Sequence, residues 1–243
     1  MLTFGSLFAG IGGFDLGLER AGMQCAWQVE IDPYAQRILA KHWPDVPRYS
    51  DIRDCGAHNL APVDVLCGGF PCQDISDAGK RAGITGSRSG LWSEFARIIS
   101  ELRPRYVIVE NVSDLLHRGI GVVLGDLATI GYDAEWSIVS ACALGAPHTR
   151  ARLFIVAYPN GQHGQARLGD VAQRTQPHAG DNHRTHSAQW LHADTRTYRM
   201  AHGVPHRMDR IRGLGNAIVP ACAEYVGRCV TEHHRSRADV SND

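Results

Sequence analysis

The feature that most constrains the fold is a regular alternation of short apolar segments with segments of helical period, from residue 2 to residue 158. The apolar runs predict strands at Leu2–Ala9, Gln24–Glu30, Val63–Gly68, Tyr106–Glu110 and Arg152–Tyr158. Apolar residues three or four positions apart predict helices from Phe14 to Ala21, Ala35 to His42, Leu91 to Leu102 and Ile120 to Ile130. The second of these is predicted to start at Asp32-Pro33, which suit the cap and first-turn positions. Continuous apolar strands joined by helices are typical of a doubly wound, mostly parallel α/β sheet.

The composition of the chain changes at Pro159. Residues 160–200 are rich in His, Gln, Thr, Arg and Gly and poor in branched apolar residues, which indicates a loop-rich insert rather than a second core. Apolar residues return at Ile218–Val230 and predict a helix that packs back on the sheet, and the polar residues 231–243 indicate a frayed tail. We therefore divide the chain into a main domain (1–158), an insert (159–212), a C-terminal helix (213–230) and a tail.

The charge of the chain is zero overall but unevenly distributed. Between Asn160 and Arg212 there are eight arginines, no lysines and four aspartates, so that this segment carries +4 and the rest of the chain −4. A neutral protein with one cationic lobe can bind a phosphate backbone. Few apolar residues are present to build a scaffold that would hold side chains against base edges. We therefore expect this segment to contact mainly phosphates and to recognise only a short, degenerate nucleotide sequence.

The loop Phe8–Gly13 joins the first predicted strand to the first helix, and its glycines allow a ligand to approach the backbone. Glu30 ends the second strand, 18 residues after Gly12, where a carboxylate can accept both ribose hydroxyls of an adenosine ligand. Asp15 occupies the position of the third glycine in the dinucleotide motif GxGxxG. S-adenosylmethionine carries no pyrophosphate, so this loop suits it better than a dinucleotide.

A thiol and a carboxyl follow two of the predicted strands directly. Cys72 lies in the run Gly68–Gln73, and Glu110 opens the run Glu110–Val112. In a parallel sheet both groups emerge at the carboxyl-end crevice where such folds bind ligands. A buried structural thiol and a surface carboxylate are the alternatives for the two residues taken singly. Their joint occurrence beside a glycine loop favours a catalytic pair.

Methylation of cytosine at C5 is one reaction that needs such a pair. Carbon C5 of cytosine is a poor nucleophile, but a thiolate that adds to C6 turns the ring into an enamine-like species whose C5 can attack a methyl group. The charge that builds up on the ring is quenched by protonation at N3, and a carboxyl kept protonated by burial can supply that proton. The sequence thus predicts Cys72 as the nucleophile and Glu110 as the acid.

Taken together, these runs resemble the cytosine-5 DNA methyltransferase family. The similar segments are Phe8–Phe14, Glu30, Asp51-Ile52, Gly69–Gln73, Glu110–Val112, Arg150–Arg152 and Gly215–Pro220, in the family's order. The resemblance covers residues 2–158 and about 213–230. It implies a methyltransferase fold of the S-adenosylmethionine-dependent type, double-stranded DNA as partner, a flipped cytosine and a covalent intermediate. It also makes the insert the target-recognition segment and implies a role in restriction-modification beside a companion endonuclease, in phage protection or in regulation.

The resemblance implies a role for each matching residue. The expected catalytic residues are Cys72, Glu110, Arg150 and Arg152, the two arginines holding the target base and positioning the acid. The expected cofactor contacts are Phe8, Ala9, Gly10, Ile11, Gly12, Gly13, Glu30, Ile31, Asp51, Ile52, Pro71, Leu91, Asn216 and Ala217. The expected DNA contacts are Gln73, Ser76, Lys80 and Arg88, of which the last two are equally well explained as solvated surface charge.

The chain departs from the family pattern at two places. His148-Thr149 replaces the Gln that often opens the arginine motif, and Gly203–Arg207 occupies the place of an arginine-leucine motif. With the short insert, these departures leave the DNA target sequence undetermined. Three alternatives remain: an RNA cytosine-5 methyltransferase on the same scaffold, a silent DNA-binding module, which intact catalytic residues disfavour, and a nicotinamide dehydrogenase, which Asp15 disfavours.

Cysteine and histidine usage indicates neither disulfides nor a metal. The seven cysteines are an odd number without a CxxC pair, and no secretory signal or membrane-spanning run is found, so we expect free thiols in the cytoplasm. The six cysteines other than Cys72 are predicted to be buried as small apolar residues: Cys25, Cys55, Cys67, Cys142, Cys222 and Cys229. Seven of thirteen histidines lie between His163 and His206 without the spacing of a zinc site, so no metal is expected.

Overall fold

A computed structural model describes residues 1–71, 90–161 and 207–240. Its central sheet has seven strands in the order β3-β2-β1-β4-β5-β7-β6. The strands are β1 Thr3–Leu7, β2 Gln24–Val29, β3 Arg48–Tyr49, β4 Val65–Gly68, β5 Tyr106–Val112, β6 Tyr132–Ser140 and β7 Ala151–Pro159. The first five strands pair in parallel, and β7 is antiparallel to both β5 and β6. The prediction of a doubly wound, mostly parallel α/β sheet is confirmed.

Helices pack on both faces of this sheet. They are α1 Gly13–Arg20, α2 Pro33–His42, α3 Gly90–Leu102, α4 Leu115–Arg118, α5 Ile120–Ile130, α6 Arg207–Asn216 and α7 Pro220–Val240. Residues of α3 and α5 fill a core on one face, and α1 and α7 fill the core on the other. Helix α2 begins where the sequence predicts, because the Asp32 carboxylate caps it by accepting a hydrogen bond from the Tyr34 amide at 2.8 Å.

The strand order places a topological switch between β1 and β4. The chain proceeds from β1 through β2 to β3 on one side, and from β4 to β5 on the other. The loop after β1 and the segment after β4 therefore leave the sheet side by side at its carboxyl edge. This is the position at which open α/β sheets bind ligands, so the fold brings the glycine loop beside Gly69–Pro71.

Strand β6 was not among the strands predicted from the sequence. It forms the edge of the sheet and pairs only with β7 among the described strands. Its residues Tyr132, Ala134, Trp136 and Ile138 alternate with polar ones, which is a signal of period two. Trp136 and Ile138 are about half exposed, so this strand is not buried in the continuous manner of the parallel strands.

Helix α7 extends to Val240, whereas the sequence predicted a helix ending at Val230 and a polar tail from residue 231. The extension is held by His233, which is 2% exposed. Its Nδ1 lies 3.1 Å from the Tyr106 hydroxyl, and its ring stacks on Tyr158. A polar residue that packs on the sheet through aromatic contacts is not visible in a hydropathy pattern, which is why the prediction of a frayed tail is wrong for residues 231–240.

The six cysteines within the described residues are free thiols, and five of them are buried as predicted. Cys142 is the exception and is exposed. It lies in the 3-10 turn Ala141–Leu144, which follows the edge strand β6, where Trp136 and Ile138 are also about half exposed. Within the described ranges, no helix is long and apolar enough to cross a membrane.

Candidate active site

The loop between β1 and α1 has the backbone of a ligand cradle. Phe8, Gly10 and Gly12 all have positive φ angles, of 53°, 57° and 87°, which lie in the left-handed region. The Gly12 amide donates to the Ala9 carbonyl at 3.0 Å and closes the turn. A Cβ atom added to Gly10 would meet only the Phe8 carbonyl oxygen, at 4.0 Å, so the space in front of Gly10 is open. Positive φ is rare for residues other than glycine, and where it occurs, as at Phe8, it is often found at a binding site.

Glu30 ties this loop to the end of β2. One carboxylate oxygen accepts a hydrogen bond from the Gly10 amide at 2.7 Å, and the other accepts one from the Asp32 amide at 2.7 Å. A carboxylate has about four lone-pair sites, so two of them remain for hydroxyl donors. Ile31, the next residue, is 61% exposed and presents an apolar side chain beside it. The structure thus brings together Glu30, Ile31 and the glycine loop, as the sequence predicted.

Asp51 and Ile52 follow β3 at the same edge of the sheet. Ile52 is buried in the core. Both Asp51 carboxylate oxygens accept hydrogen bonds from the Arg53 guanidinium, and one also accepts from the Arg53 amide. These contacts lower the pKa of Asp51. The sequence did not predict that Arg53 would engage this predicted cofactor contact.

Asp15, which replaces the third glycine of the dinucleotide motif GxGxxG, has a structural role. Its carboxylate points into the core behind the loop and is fully buried. It accepts hydrogen bonds from Ser6 Oγ at 3.2 Å, Gln28 Nε2 at 2.8 Å and Cys25 Sγ at 3.6 Å. Burial raises its pKa to about 6 although these donors oppose the shift. Asp15 therefore anchors α1 to the sheet and has no open side towards a ligand.

Glu110 near the end of β5 is the buried carboxyl that the sequence predicted as the acid. It is 8% exposed, and its Oε1 lies 3.1 Å from Nε of Arg152 on the neighbouring strand β7. Burial raises its pKa to about 7, and the charges of Arg152 and Arg150 act in the opposite direction. A Cβ atom on Gly69 would lie 2.7 Å from Glu110 Oε2, so only glycine allows this approach.

The segment that leads to the predicted nucleophile is fixed to β5. Asn111 is buried, and its Nδ2 donates to the Phe70 carbonyl oxygen at 3.1 Å. Pro71 is exposed at the end of this segment. Asn111 was not among the predicted site residues, although its place beside Glu110 was a usable signal. The predicted nucleophile Cys72 and the predicted DNA contacts Gln73, Ser76, Lys80 and Arg88 lie outside the described residues.

The junction of α6 and α7, taken as the last two residues of α6 and the three that follow (215–219), reaches both parts of the site. Nη2 of Arg150 donates to the carbonyl oxygens of Gly215 and Ala217 at 2.9 and 2.7 Å. A Cβ atom on Gly13 would lie 2.4 Å from the Ile218 carbonyl oxygen, and Ile218 Cδ1 lies 3.7 Å from the corresponding position on Gly69. Asn216 is exposed and Ala217 half-buried at this junction, while Leu91, in the first turn of α3, packs against the core.

The comparisons with known proteins agree with this geometry. The model of the C-5 cytosine-specific DNA methylase family matches residues 2–199. The chain belongs to this family. Within the described ranges of this methylase-family chain, no group of three His, Cys, Asp or Glu residues could hold a metal ion.

Two type II methyltransferases are among the family members to which the chain is similar. M.HhaI of Haemophilus parahaemolyticus is 34% identical over 163 residues, which are 65% of this chain and 50% of that protein. M.Eco47II of Escherichia coli is 39% identical over 164 residues, which are 63% of this chain and 39% of that protein. The chain thus spans about half or less of the length of these curated relatives. The S. pombe Dnmt2 methyltransferase is 22% identical with a TM-score of 0.61, over 75% of this chain and 58% of that one, and supports the fold.

Proposed function

We propose that this member of the C-5 cytosine-specific DNA methylase family transfers a methyl group from S-adenosylmethionine to C5 of a flipped cytosine in double-stranded DNA. The observation that carries the proposal is the state of Glu110. It is 8% exposed, has a pKa raised to about 7 and lies against Gly69, three residues before Cys72. A carboxyl that is half protonated at neutral pH beside the segment leading to a thiol suits a proton donor to the base.

The residues at the glycine loop fit S-adenosylmethionine. The space in front of Gly10 is open, and Glu30 has free lone pairs for the two ribose hydroxyls. Ile31 offers an exposed apolar surface for the adenine, and Phe8–Gly13, Asp51-Ile52, Pro71, Leu91 and Asn216-Ala217 complete the proposed set of contacts. The bound cofactor supplies an electrophilic methyl group.

The other steps of the reaction are carried out by residues of the chain. The Cys72 thiolate forms a bond to C6 of the flipped base, which makes C5 nucleophilic. Glu110 delivers its proton to N3, and the Arg152 guanidinium holds the carboxylate that remains. After methyl transfer a base removes the C5 proton, and the C6–S bond breaks to restore the thiolate and the aromatic ring. The proton on N3 returns to the Glu110 carboxylate.

The DNA partner and its context belong to the same proposal. Gln73, Ser76, Lys80 and Arg88 contact the DNA next to the nucleophile, and the arginines between residues 160 and 212 contact phosphates. Both similar relatives carry the name type II methyltransferase. We therefore place this chain in a restriction-modification setting, in which methylation protects DNA from a companion endonuclease.

The test is covalent trapping on DNA that contains 5-fluorocytosine, because fluorine at C5 cannot leave as the proton does and the adduct persists. The wild-type protein with S-adenosylmethionine is expected to form an adduct that survives denaturing electrophoresis. Cys72→Ala should form none while still binding S-adenosylhomocysteine in calorimetry.

The matched control is Cys142→Ala, which also removes a thiol, an exposed one, and should still be trapped. A stable adduct of the Cys72→Ala protein would refute the assignment of the nucleophile. Preferential trapping on RNA that contains 5-fluorocytosine would show that the substrate is RNA and not DNA.

A further inference from the structure

Arg150 and Arg152 are two residues apart, yet they make different contacts. Arg152 pairs with Glu110 at 3.1 Å. Arg150 instead donates through Nη2 to two backbone carbonyls that lie 65 and 67 residues further along the chain, those of Gly215 and Ala217. The resemblance to the methyltransferase family implies that both arginines hold the target base and position the acid. In the structure only Arg152 contacts the acid, and Arg150 contacts the backbone instead.

The backbone of Arg150 supports a fixed role. Its φ angle is 22°, in a region that residues other than glycine rarely adopt. Such conformations persist only where the surrounding contacts hold them. Two carbonyls that accept from one charged donor are contacts of this kind. Its Nε is buried and has no hydrogen-bond partner among the described residues, so the two carbonyls hold this guanidinium without help from that atom.

The junction held by Arg150 touches the cofactor side of the site and the acid side. The Ile218 carbonyl lies against Gly13, at the start of α1, and the side chain of Ile218 reaches Gly69. At the end of α6, a Cβ atom on Gly213 would lie 3.2 Å from Ile11 Cγ2 of the glycine loop. A shift of this junction would therefore move residues that border both the loop and the acid.

We propose that Arg150 is a positioning residue that clamps the junction between α6 and α7 onto the glycine loop, and thereby couples cofactor binding to the environment of Glu110. This inference rests on the proposed function. Without the clamp, only a fraction of the molecules would hold the junction in place, and the apparent affinity for the cofactor would be the intrinsic affinity multiplied by that fraction.

The charge of Arg150 also affects the pKa of Glu110. The described titratable and charged groups that face Glu110 are Arg150, Arg152 and the Cys222 thiol of α7. Both arginines favour the carboxylate form, so removing either charge should raise the pKa of Glu110 further. Only Arg150 also holds the junction. The two arginines can therefore be separated by experiment.

The experiment compares Arg150→Gln with Arg152→Gln as the matched control. Calorimetry with S-adenosylhomocysteine alone should show about a tenfold loss of affinity for Arg150→Gln, which corresponds to the loss of one charge-assisted contact. Arg152→Gln should bind within about twofold of wild type on the same scale. In single-turnover methylation of unmethylated DNA, both variants should shift the pH at which the rate falls to a higher value than in wild type.

Thermal unfolding verifies that each variant is folded. If Arg150→Gln does not fold, Arg150→Lys is judged instead: it keeps the charge but not the planar fork, and should lose affinity without shifting the pH profile. Equal cofactor affinity of the Arg150 variant and wild type, or an equal loss in Arg152→Gln, would overturn the clamp. A wild-type protein that does not bind S-adenosylhomocysteine would instead overturn the proposed function.

Discussion

Two carboxylates at the same edge of the sheet are held in opposite ways. Each oxygen of Glu30 accepts one backbone amide at 2.7 Å, from Gly10 and Asp32. Glu110 is 8% exposed and has one guanidinium at 3.1 Å, that of Arg152. Burial outweighs this guanidinium and raises the pKa of Glu110 to about 7. Fixed amides suit a carboxylate that binds hydroxyl groups, whereas desolvation beside a cation suits one that exchanges a proton.

A third carboxylate shows that a raised pKa alone does not identify the acid. Burial raises the pKa of Asp15 to about 6, but the carboxylate is fully enclosed by donors from Ser6, Gln28 and Cys25. Glu110 differs because it faces Gly69 and the segment that leads to Cys72. Access to a reacting group, together with burial, separates a functional acid from a structural one.

The largest effect is expected when Glu110 is replaced by Gln, which keeps the shape but cannot deliver the proton. We expect kcat to fall by about 10²–10⁴-fold, the usual cost of removing a general acid. A proton donor acts in its protonated form, so under the proposed function the wild-type rate should decrease as the pH rises above about 7, where Glu110 loses its proton. Single-turnover methylation measured across pH checks both points.

The control for this prediction is the affinity for S-adenosylhomocysteine, which Glu110→Gln should leave within about twofold, because Glu110 is not among the proposed cofactor contacts. An unchanged kcat would show that protonation at N3 does not depend on Glu110. A fall in kcat without loss of the pH dependence would mean that the titrating group is another residue.

The parts of the site that depend on local order could be predicted from the sequence. The glycine loop and Glu30 follow directly from a strand, Glu110 lies near the end of one, and the alternation of elements places strand ends at one edge. Helix α2 was predicted from its cap for the same reason. In each case the residues that decide the outcome lie within one turn or one strand of each other.

Other features depend on contacts between residues far apart in the chain and could not be read from it. The division between Arg150 and Arg152 requires carbonyls at positions 215 and 217. The end of α7 depends on His233 reaching Tyr106 across 127 positions. The close packing of α1 on α7 is similar: a Cβ atom on Gly17 would lie 2.5 Å from Ala223 Cβ. Periodicity predicts which face is apolar but not which residue it meets.

Asp15 provides a prediction of intermediate size. Its folded-state pKa, about 6, exceeds the ordinary value of 3.8, so folding favours the protonated form. The resulting stability is present below about pH 4 and is lost as the pH rises through about 6, by about 3 kcal/mol in total. Asp15→Asn is neutral at every pH. The free energy of unfolding of wild type minus that of the variant should therefore decrease between pH 4 and pH 7.

Urea unfolding at several pH values measures this difference, which removes contributions that the two proteins share. Asp45→Asn is the control because Asp45 is exposed, and its difference from wild type should change little with pH. Stability curves of wild type and Asp15→Asn that run parallel would show that Asp15 ionises in the folded state as readily as in the unfolded state.

The smallest effect is expected for Glu30→Ala, and it is confined to cofactor binding. Hydrogen bonds to a charged group contribute about 1.5–3 kcal/mol, so the affinity for S-adenosylhomocysteine should fall about 10–100-fold in calorimetry. The affinity of the free protein for DNA should stay nearly intact, because Glu30 lies on the β2 side of the loop, away from the β4 and β5 ends that carry the acid. Glu232→Ala removes an exposed carboxylate from α7 and should bind the cofactor as wild type does. Equal affinities of Glu30→Ala and wild type for S-adenosylhomocysteine would mean that Glu30 only stabilises the loop through its two backbone amides. Glu30 would then be a structural carboxylate, and Glu110 alone of the two would have a proposed role in the reaction.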